Sequence, residues 1–416
     1  MEETKASEAS KDEAVNRAPR EAYMAFTVRL AWALHRYGAP AHRLEEVLQL
    51  MSDRLHLPGQ FFSMPTALLA SFGSWENQHT ILVRVDPGDV DLQKQVKLDD
   101  VAERVASGQL DPRAGVEEIE AVVRAPARYG VLVTLVCFGL ASGAASRFFG
   151  GGWREILVSS VTGLVVGIMA QLMNRRTSTS RVYEPLAAVV ASLLAALGAW
   201  WLGNLSTSMA VLGGLIVLVP GLTVTTALNE LATRHLMSGT GRLMGAMMVF
   251  LVMGVGVVLG TRLALLVPGG IGTTIPLPLW TEGVALGAGI FSFSILFRVP
   301  AREIIWTFLI GVAVYATARF GAIPLGPDLA VASGAFLLGA SANLYARIRR
   351  RPAAIPLVPS LMLLVPGSIG FRSLLSLLEH NVLSGVETAF RMIMVGVSLV
   401  TGLLLANLVL PPRRAL

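Results

Sequence analysis

Of 416 residues, 53% are hydrophobic and 15% charged, with a mean hydropathy of +0.61; a soluble protein carries roughly 25% charged residues, so most of this chain belongs in lipid. The net charge of +6 is no nucleic-acid footprint, because Lys5, Lys11, Lys94 and Lys97 are all the lysines and precede the first apolar run, while arginines flank such runs. Cys137 is the sole cysteine, which excludes an intrachain disulfide and a cysteine-rich metal site.

Residues 1–20 have no apolar core and no small-residue cleavage site, so they read as a disordered tail rather than a secretory signal. Residues 21–126 read as a cytoplasmic α/β domain. Phe26, Leu30, Ala33, Leu34 and Tyr37 recur at helical spacing before Gly38-Ala39-Pro40, and Leu44, Val47, Leu48, Met51 and Leu55 follow in a second helix. Strands are expected at 60–72 and 80–85, with a polar turn at Ser74-Trp75-Glu76-Asn77, then charged helices at 89–107 and 112–123.

Apolar runs long enough for a hydrocarbon core of roughly 30 Å recur from there to the C-terminus. Spans are expected near 129–146, 154–174, 185–202, 209–229, 243–266, 277–297, 302–320, 328–346, 355–377 and 389–410. With the N-terminus inside, the inner loops hold thirteen arginines, among them Arg175, Arg176, Arg181, Arg234, Arg242, Arg298, Arg302, Arg413 and Arg414, and a cluster at 347–351. The outer loops hold Arg147, Arg154, Arg319, Arg372 and Arg391, so the positive-inside rule selects both ends inside.

The chain also repeats itself. At a shift of 146, Leu218-Val219-Pro220-Gly221 falls on Leu364-Val365-Pro366-Gly367, Ser238-Gly239 on Ser384-Gly385, and Met248-Val249 on Met394-Val395. Upstream, a shift of 148 sets Arg154-Glu155-Ile156 on Arg302-Glu303-Ile304 and Gly163 on Gly311. The expected fold is therefore an α-helical polytopic membrane protein of about ten transmembrane helices in two five-helix halves, 127–270 and 271–416. An odd span count inserts the second half upside down, making inverted repeats.

Pro220-Gly221 and Pro366-Gly367 interrupt corresponding spans. Proline removes a backbone donor and glycine relaxes the chain, so each span is expected to break into half-helices whose free amides suit a carboxylate. A single such break reads as an ordinary kink; two in register read as a binding site. The residues assigned to substrate are Pro220, Gly221, Thr223, Thr225, Thr226 and Asn229 around the first break, and Pro366, Gly367, Ser368 and Arg372 around the second. Hydroxyls here can bond a small hydroxylated substrate or their own helix, and Ser360 and Ser373 lie nearby. Glu230 follows the break on the same helix and is the first choice for a proton carrier. Glu155, Glu184, Glu303 and Asp328 read as boundary acids, and Asn343 reads equally as a site residue or as glue between helices.

His35, His42 and His56, with Ser63, Asp53 or Glu46, raise a hydrolase reading, but no G-x-S-x-G, H-E-x-x-H or P-loop spacing accompanies them. No cofactor and no metal are implied. The rival readings are a membrane-anchored hydrolase and a ligand-sensing membrane protein, each acting through 21–126.

Gly38-Ala39, Arg43-Leu44-Glu45-Glu46 and Met64-Pro65-Thr66, followed by Val219-Pro220-Gly221 and Ser238-Gly239, resemble the N-terminal module of the threonine/serine exporter (ThrE) family. Leu364-Val365-Pro366-Gly367-Ser368 with Phe371-Arg372-Ser373 resembles its C-terminal module. The resemblance implies export of threonine and serine across a bacterial inner membrane, driven by the proton-motive force. In that family an Asn and then an Asp commonly follow the first Pro-Gly; Thr226 and Glu230 stand there. The implied partners are threonine or serine, protons and the lipid bilayer, with a homo-oligomer compatible.

Overall fold

The computed structural model describes residues 20–173, 182–266, 272–378 and 381–412. The expected tail, apart from Arg20, lies outside the described residues, as do Arg175, Arg176, Arg181, Arg413, Arg414 and the boundary at 270.

Helix α1 (20–36) and α2 (Ala41–Arg54) bury the stripes expected of them, Phe26, Leu30 and Leu34 on one, Leu44, Leu48 and Met51 on the other. An antiparallel sheet follows, β1 (Gly59–Met64), β2 (Ala67–Ser74) and β3 (Asn77–Arg84), in that order. The single strand expected at 60–72 is thus two. Pro65 has no amide for a ladder, and Pro65-Thr66 form a two-residue turn that pairs Met64 with Ala67. Helices α3 (Leu92–Ala106) and α4 (Pro112–Arg124) close the domain, their first amides capped by the Asp91 and Asp111 carboxylates. Leu68, Leu98, Val105 and Ile119 join the stripes of α1 and α2 in one core.

The rest of the described chain is helical. It runs α5 (Val131–Phe148), α6 (Trp153–Met173), α7 (Tyr183–Leu202), α8 (Thr207–Gly214), α9 (Gly221–Ala232) and α10 (Leu236–Ala264). Then come α11 (Trp280–Leu296), a 3-10 turn (Ala301–Glu303), α12 (Ile304–Leu325), α13 (Pro327–Arg349), α14 (Ala354–Leu361), α15 (Gly367–Leu378) and α16 (Val382–Val409). Among the described residues seven helices are long and apolar enough to cross a membrane: α5, α6, α7, α10, α12 with its leading turn, α13 and α16. Leucines and valines stud their outer faces, as Leu251, Val255 and Leu259 do on α10, which is a lipid-facing surface. The protein is polytopic.

In lipid, burial of apolar area does not drive helices together, so close packing must. Small residues supply it: α7 and α10 approach so nearly that a Cβ on Gly256 would stand 2.4 Å from the Pro185 carbonyl oxygen. Element boundaries also recur along the chain. α9 and α15 begin 146 residues apart, at Gly221 and Gly367, as do α10 and α16, at Leu236 and Val382. α5 and α11 end 148 residues apart, at Phe148 and Leu296.

Candidate functional site

Both Pro-Gly pairs interrupt helices. α8 ends at Gly214, residues 215–218 turn, and α9 starts only after Pro220, whose carbonyl accepts from Val224 N at 3.0 Å. In the second half α14 ends at Leu361 and α15 starts after Pro366, whose carbonyl accepts from Gly370 N at 3.1 Å. Among the described residues the first-turn amides of Leu222, Thr223, Ser368 and Ile369 donate to no backbone carbonyl.

The two breaks adjoin. A Cβ on Gly367 would stand 2.8 Å from Gly221 Cα, and a Cβ on Gly221 would stand 2.2 Å from Val365 Cγ1 and 3.3 Å from Gly367 Cα. Only glycine at both places lets the backbones meet. Two helix N-termini, each with partial positive charge and free amides, therefore come together, an arrangement that stabilises an anion.

A cavity of about 380 Å³ reaches this point, lined by Gly221, Gly367, Ser368, Tyr315, Glu282 and Arg319 along with apolar side chains such as Phe149. Its charged wall was not legible as a site residue by residue. Glu282 lies on the first turn of α11, between Arg147 (Nη2 to Oε1, 3.8 Å) and Arg319 (Nε to Oε2, 3.8 Å). Arg147 is itself buried and fixed, its Nε donating to Thr281 Oγ1 at 2.6 Å. The sequence signal was slight: an acid opening an apolar run, with its arginines 135 residues before and 37 after it.

The N-terminal domain sits at the opposite helix ends. It joins α5 at its start, and Leu92 N donates to Phe297 O just past the end of α11 at 3.1 Å. Arg298 pairs with Asp91 at 3.1 Å beside a cluster of Leu92, Val96, Val299, Tyr345 and Ile355. On the first half, the α2 amide of Ala41 donates to Glu230 Oε1 at 2.8 Å, and Arg242 Nε lies 3.1 Å from the same oxygen. The domain thus touches α9 and α10 on one side and α11 to α14 on the other.

Of the residues assigned from sequence, Gly221, Gly367 and Ser368 line the cavity, and Pro220 and Pro366 make the breaks that shape it. Thr223 and Thr226 are half-buried along α9; Thr225 is buried, and its hydroxyl finds no partner among the described residues. Arg372 is exposed, its guanidinium 4.8 Å above the ring of Phe149 in the cavity wall. Asn229 and Glu230 lie at the far end of α9 against the N-terminal domain, Asn229 Nδ2 being 3.3 Å from His42 Nε2. Glu230 is fully buried with Arg242 as its ion-pair partner, and it does not line the cavity. Glu155 accepts from Gly152 N and Ser206 N, each at 2.9 Å, and Glu303 pairs with Arg349 at 3.3 Å. Asn343 ties α13 to the end of α16, donating to Asn407 Oδ1 and Leu410 O.

Of the histidines of the N-terminal domain, His35 is buried, His42 is half-buried and His56 is exposed. Ser63 Oγ lies 3.4 Å from His35 Nδ1, but both residues are 2% exposed, and His35 Nε2 meets the Pro65 carbonyl rather than a carboxylate. That pair lacks both the orienting acid and the open face of a hydrolytic site. Burial lowers the His35 pKa. Burial, with His235, Arg43 and Arg242 adding to it, lowers that of His42 to about 4.

Residues 25–264 match the family model described as "Putative threonine/serine exporter", and residues 284–409 the one described as "Threonine/Serine exporter, ThrE". Pheromone-regulated membrane protein 10 of Eremothecium gossypii is 28% identical over 382 residues, covering 88% of this chain and 50% of that protein. Proteins of the same name from Candida glabrata (26% over 375 residues, 88% and 47% covered) and Debaryomyces hansenii (28% over 386, 88% and 37%) are also similar. The chain spans half or less of the length of these curated relatives. No solved structure matches it. With two exporter models matched in order over most of its length, on helices that fit a membrane, the chain belongs to the threonine/serine exporter family.

Proposed function

We propose that this protein is a secondary active exporter of small hydroxylated amino acids, threonine and serine, driven by the proton-motive force across a bacterial inner membrane. The observation that carries the reading is the contact of the two Pro-Gly breaks beside the cavity. The substrate carboxylate binds the first-turn amides of α9 and α15, and the Ser368 hydroxyl bonds the substrate's polar groups. Membership of the exporter family supports the transport class, and the substrate named in the family descriptions supports the choice of ligand.

Ten spans are counted from the seven long helices, α11, and the two broken pairs α8–α9 and α14–α15. Five spans in each half make the halves inverted repeats. Support comes from Gly221 and Gly367, equivalent at a shift of 146, which touch each other as residues beside a two-fold axis would. The arginine distribution supports a cytoplasmic soluble domain.

The cavity is lined by the helix ends opposite the N-terminal domain, which bridges both halves on the other side. Access alternates when the halves rock and that bridge loosens. Glu230 couples the motion to protons: protonation removes its charge from Arg242 and frees the α2 amide, releasing the first half from the domain. Labelled threonine and serine flux in liposomes, with and without an imposed pH gradient, tests the reading in wild type and Glu230→Gln. Gradient-driven flux that loses its pH dependence in the variant is expected. Persistent coupling moves the proton to another acid, and no flux of any amino acid by folded, inserted protein sinks the exporter assignment.

A further inference from the structure

We infer that Glu282 receives the α-ammonium group of the transported amino acid, an assignment that rests on the exporter reading above. Among the described residues it is the sole carboxylate lining the cavity that the two helix breaks share. Its neighbours neutralise it without bonding it: Arg147 and Arg319 each stand 3.8 Å away, beyond hydrogen-bond reach. Arg147 is committed to Thr281 Oγ1 and, at 3.4 Å, to the Pro278 carbonyl, so it cannot follow the carboxylate. Arg319 is half-exposed and can swing aside. A charged acceptor held open in this way is a place for a ligand's N–H donors.

Charge also selects the ligand class. Two arginines, two helix N-termini and one carboxylate leave the cavity positive on balance, with its negative charge in one spot. A simple amine meets that excess unfavourably, and a simple carboxylic acid leaves Glu282 without a partner. A zwitterion satisfies both ends, its carboxylate on the α9 and α15 amides and its ammonium on Glu282. The position 148 residues earlier holds Thr134, whose hydroxyl bonds the Gly130 carbonyl at 3.1 Å, so the acid belongs to one half alone. The site therefore takes one ammonium group in one orientation.

The test is equilibrium binding of labelled threonine to the purified protein, with 3-hydroxybutyrate, which is threonine without its amino group, as competitor. Glu282→Gln is expected to weaken threonine binding on the order of 10- to 100-fold, as loss of a charged hydrogen-bond partner does. Glu282→Asp is expected to weaken it less, and the affinity for 3-hydroxybutyrate is expected to hold or rise in Glu282→Gln. Threonine binding by Glu282→Gln within twofold of wild type overturns the inference and leaves the exporter reading intact. If size-exclusion chromatography finds Glu282→Gln misfolded, wild type and Glu282→Asp decide. Wild type must then prefer threonine to 3-hydroxybutyrate by about tenfold or more, and equal competition overturns the inference. Wild type that binds no amino acid at all sinks both the inference and the exporter reading, a result told apart from the others by the wild-type control.

Discussion

Gly367→Ala probes the meeting of the two breaks with a single methyl group. Its Cβ would stand 2.8 Å from Gly221 Cα and 2.8 Å from Val219 Cγ1, roughly 1 Å inside ordinary carbon contact. One of those atoms is backbone at the start of a helix, and Val219 is buried. Neither yields without moving α9 from α15. Overpacking of this kind costs about 1–3 kcal/mol, offset by about 0.4–1 kcal/mol from the stiffer unfolded chain. A net loss of about 1–2 kcal/mol follows, together with slowed threonine flux because the anion-binding amides are spread. Gly245→Ala on α10 is the control, since nothing lies within 4 Å of its added Cβ. The assay is thermal unfolding of both purified variants in detergent, followed by flux in liposomes. If Gly367→Ala melts and transports like Gly245→Ala, the two breaks do not meet as described.

Arg242→Gln strips a fully buried carboxylate, Glu230, of its ion-pair partner and is expected to destabilise the protein by about 3–5 kcal/mol; adding Glu230→Gln should restore part of that in a double-mutant cycle of melting temperatures. His42, lowered from 6.5 to about 4, is neutral when folded, so the unfolded chain binds the extra proton. Its stability contribution is whole above pH 6.5 and is lost as pH falls toward 4, amounting to about 3 kcal/mol; melting curves at pH 7.5 and 4.5 should therefore differ less for His42→Gln than for wild type. Asn343→Leu removes the bonds to Asn407 Oδ1 at 2.9 Å and Leu410 O at 2.7 Å and should cost about 1 kcal/mol, read as a small drop in melting temperature with threonine binding unchanged.

The long helices and both breaks were legible because they depend on local chemistry: apolar runs, the missing proline amide, and a repeat that set Gly221 against Gly367 in the sequence before the fold set them in contact. The β1–β2 turn was missed although Met64-Pro65-Thr66 spelled it, because apolar residues continue on both sides and read as one strand. Glu282 was missed for a different reason. Its meaning comes from α11 packing on the end of α5, and nothing within a few residues of it announces Arg147 or Arg319. Glu230 stood out as an acid inside a membrane run, but its amide partner, Ala41, lies 189 residues earlier in another domain. What a side chain is could be read along the chain; what surrounds it depended on contacts between distant segments.

The most direct test of a substrate site at the meeting of the two broken helices is substrate protection at the cavity. Cys137 is the only cysteine and is buried, so Ser368→Cys in a Cys137→Ser background presents one thiol in the cavity wall, and Thr240→Cys, exposed on α10, presents one far from it. The measurement is the rate of alkylation by a small thiol reagent with and without threonine. Threonine is expected to slow modification of Ser368→Cys and to leave Thr240→Cys unchanged. Equal rates at Ser368→Cys with and without threonine, in protein that demonstrably binds it, would contradict a substrate site where the two broken helices meet.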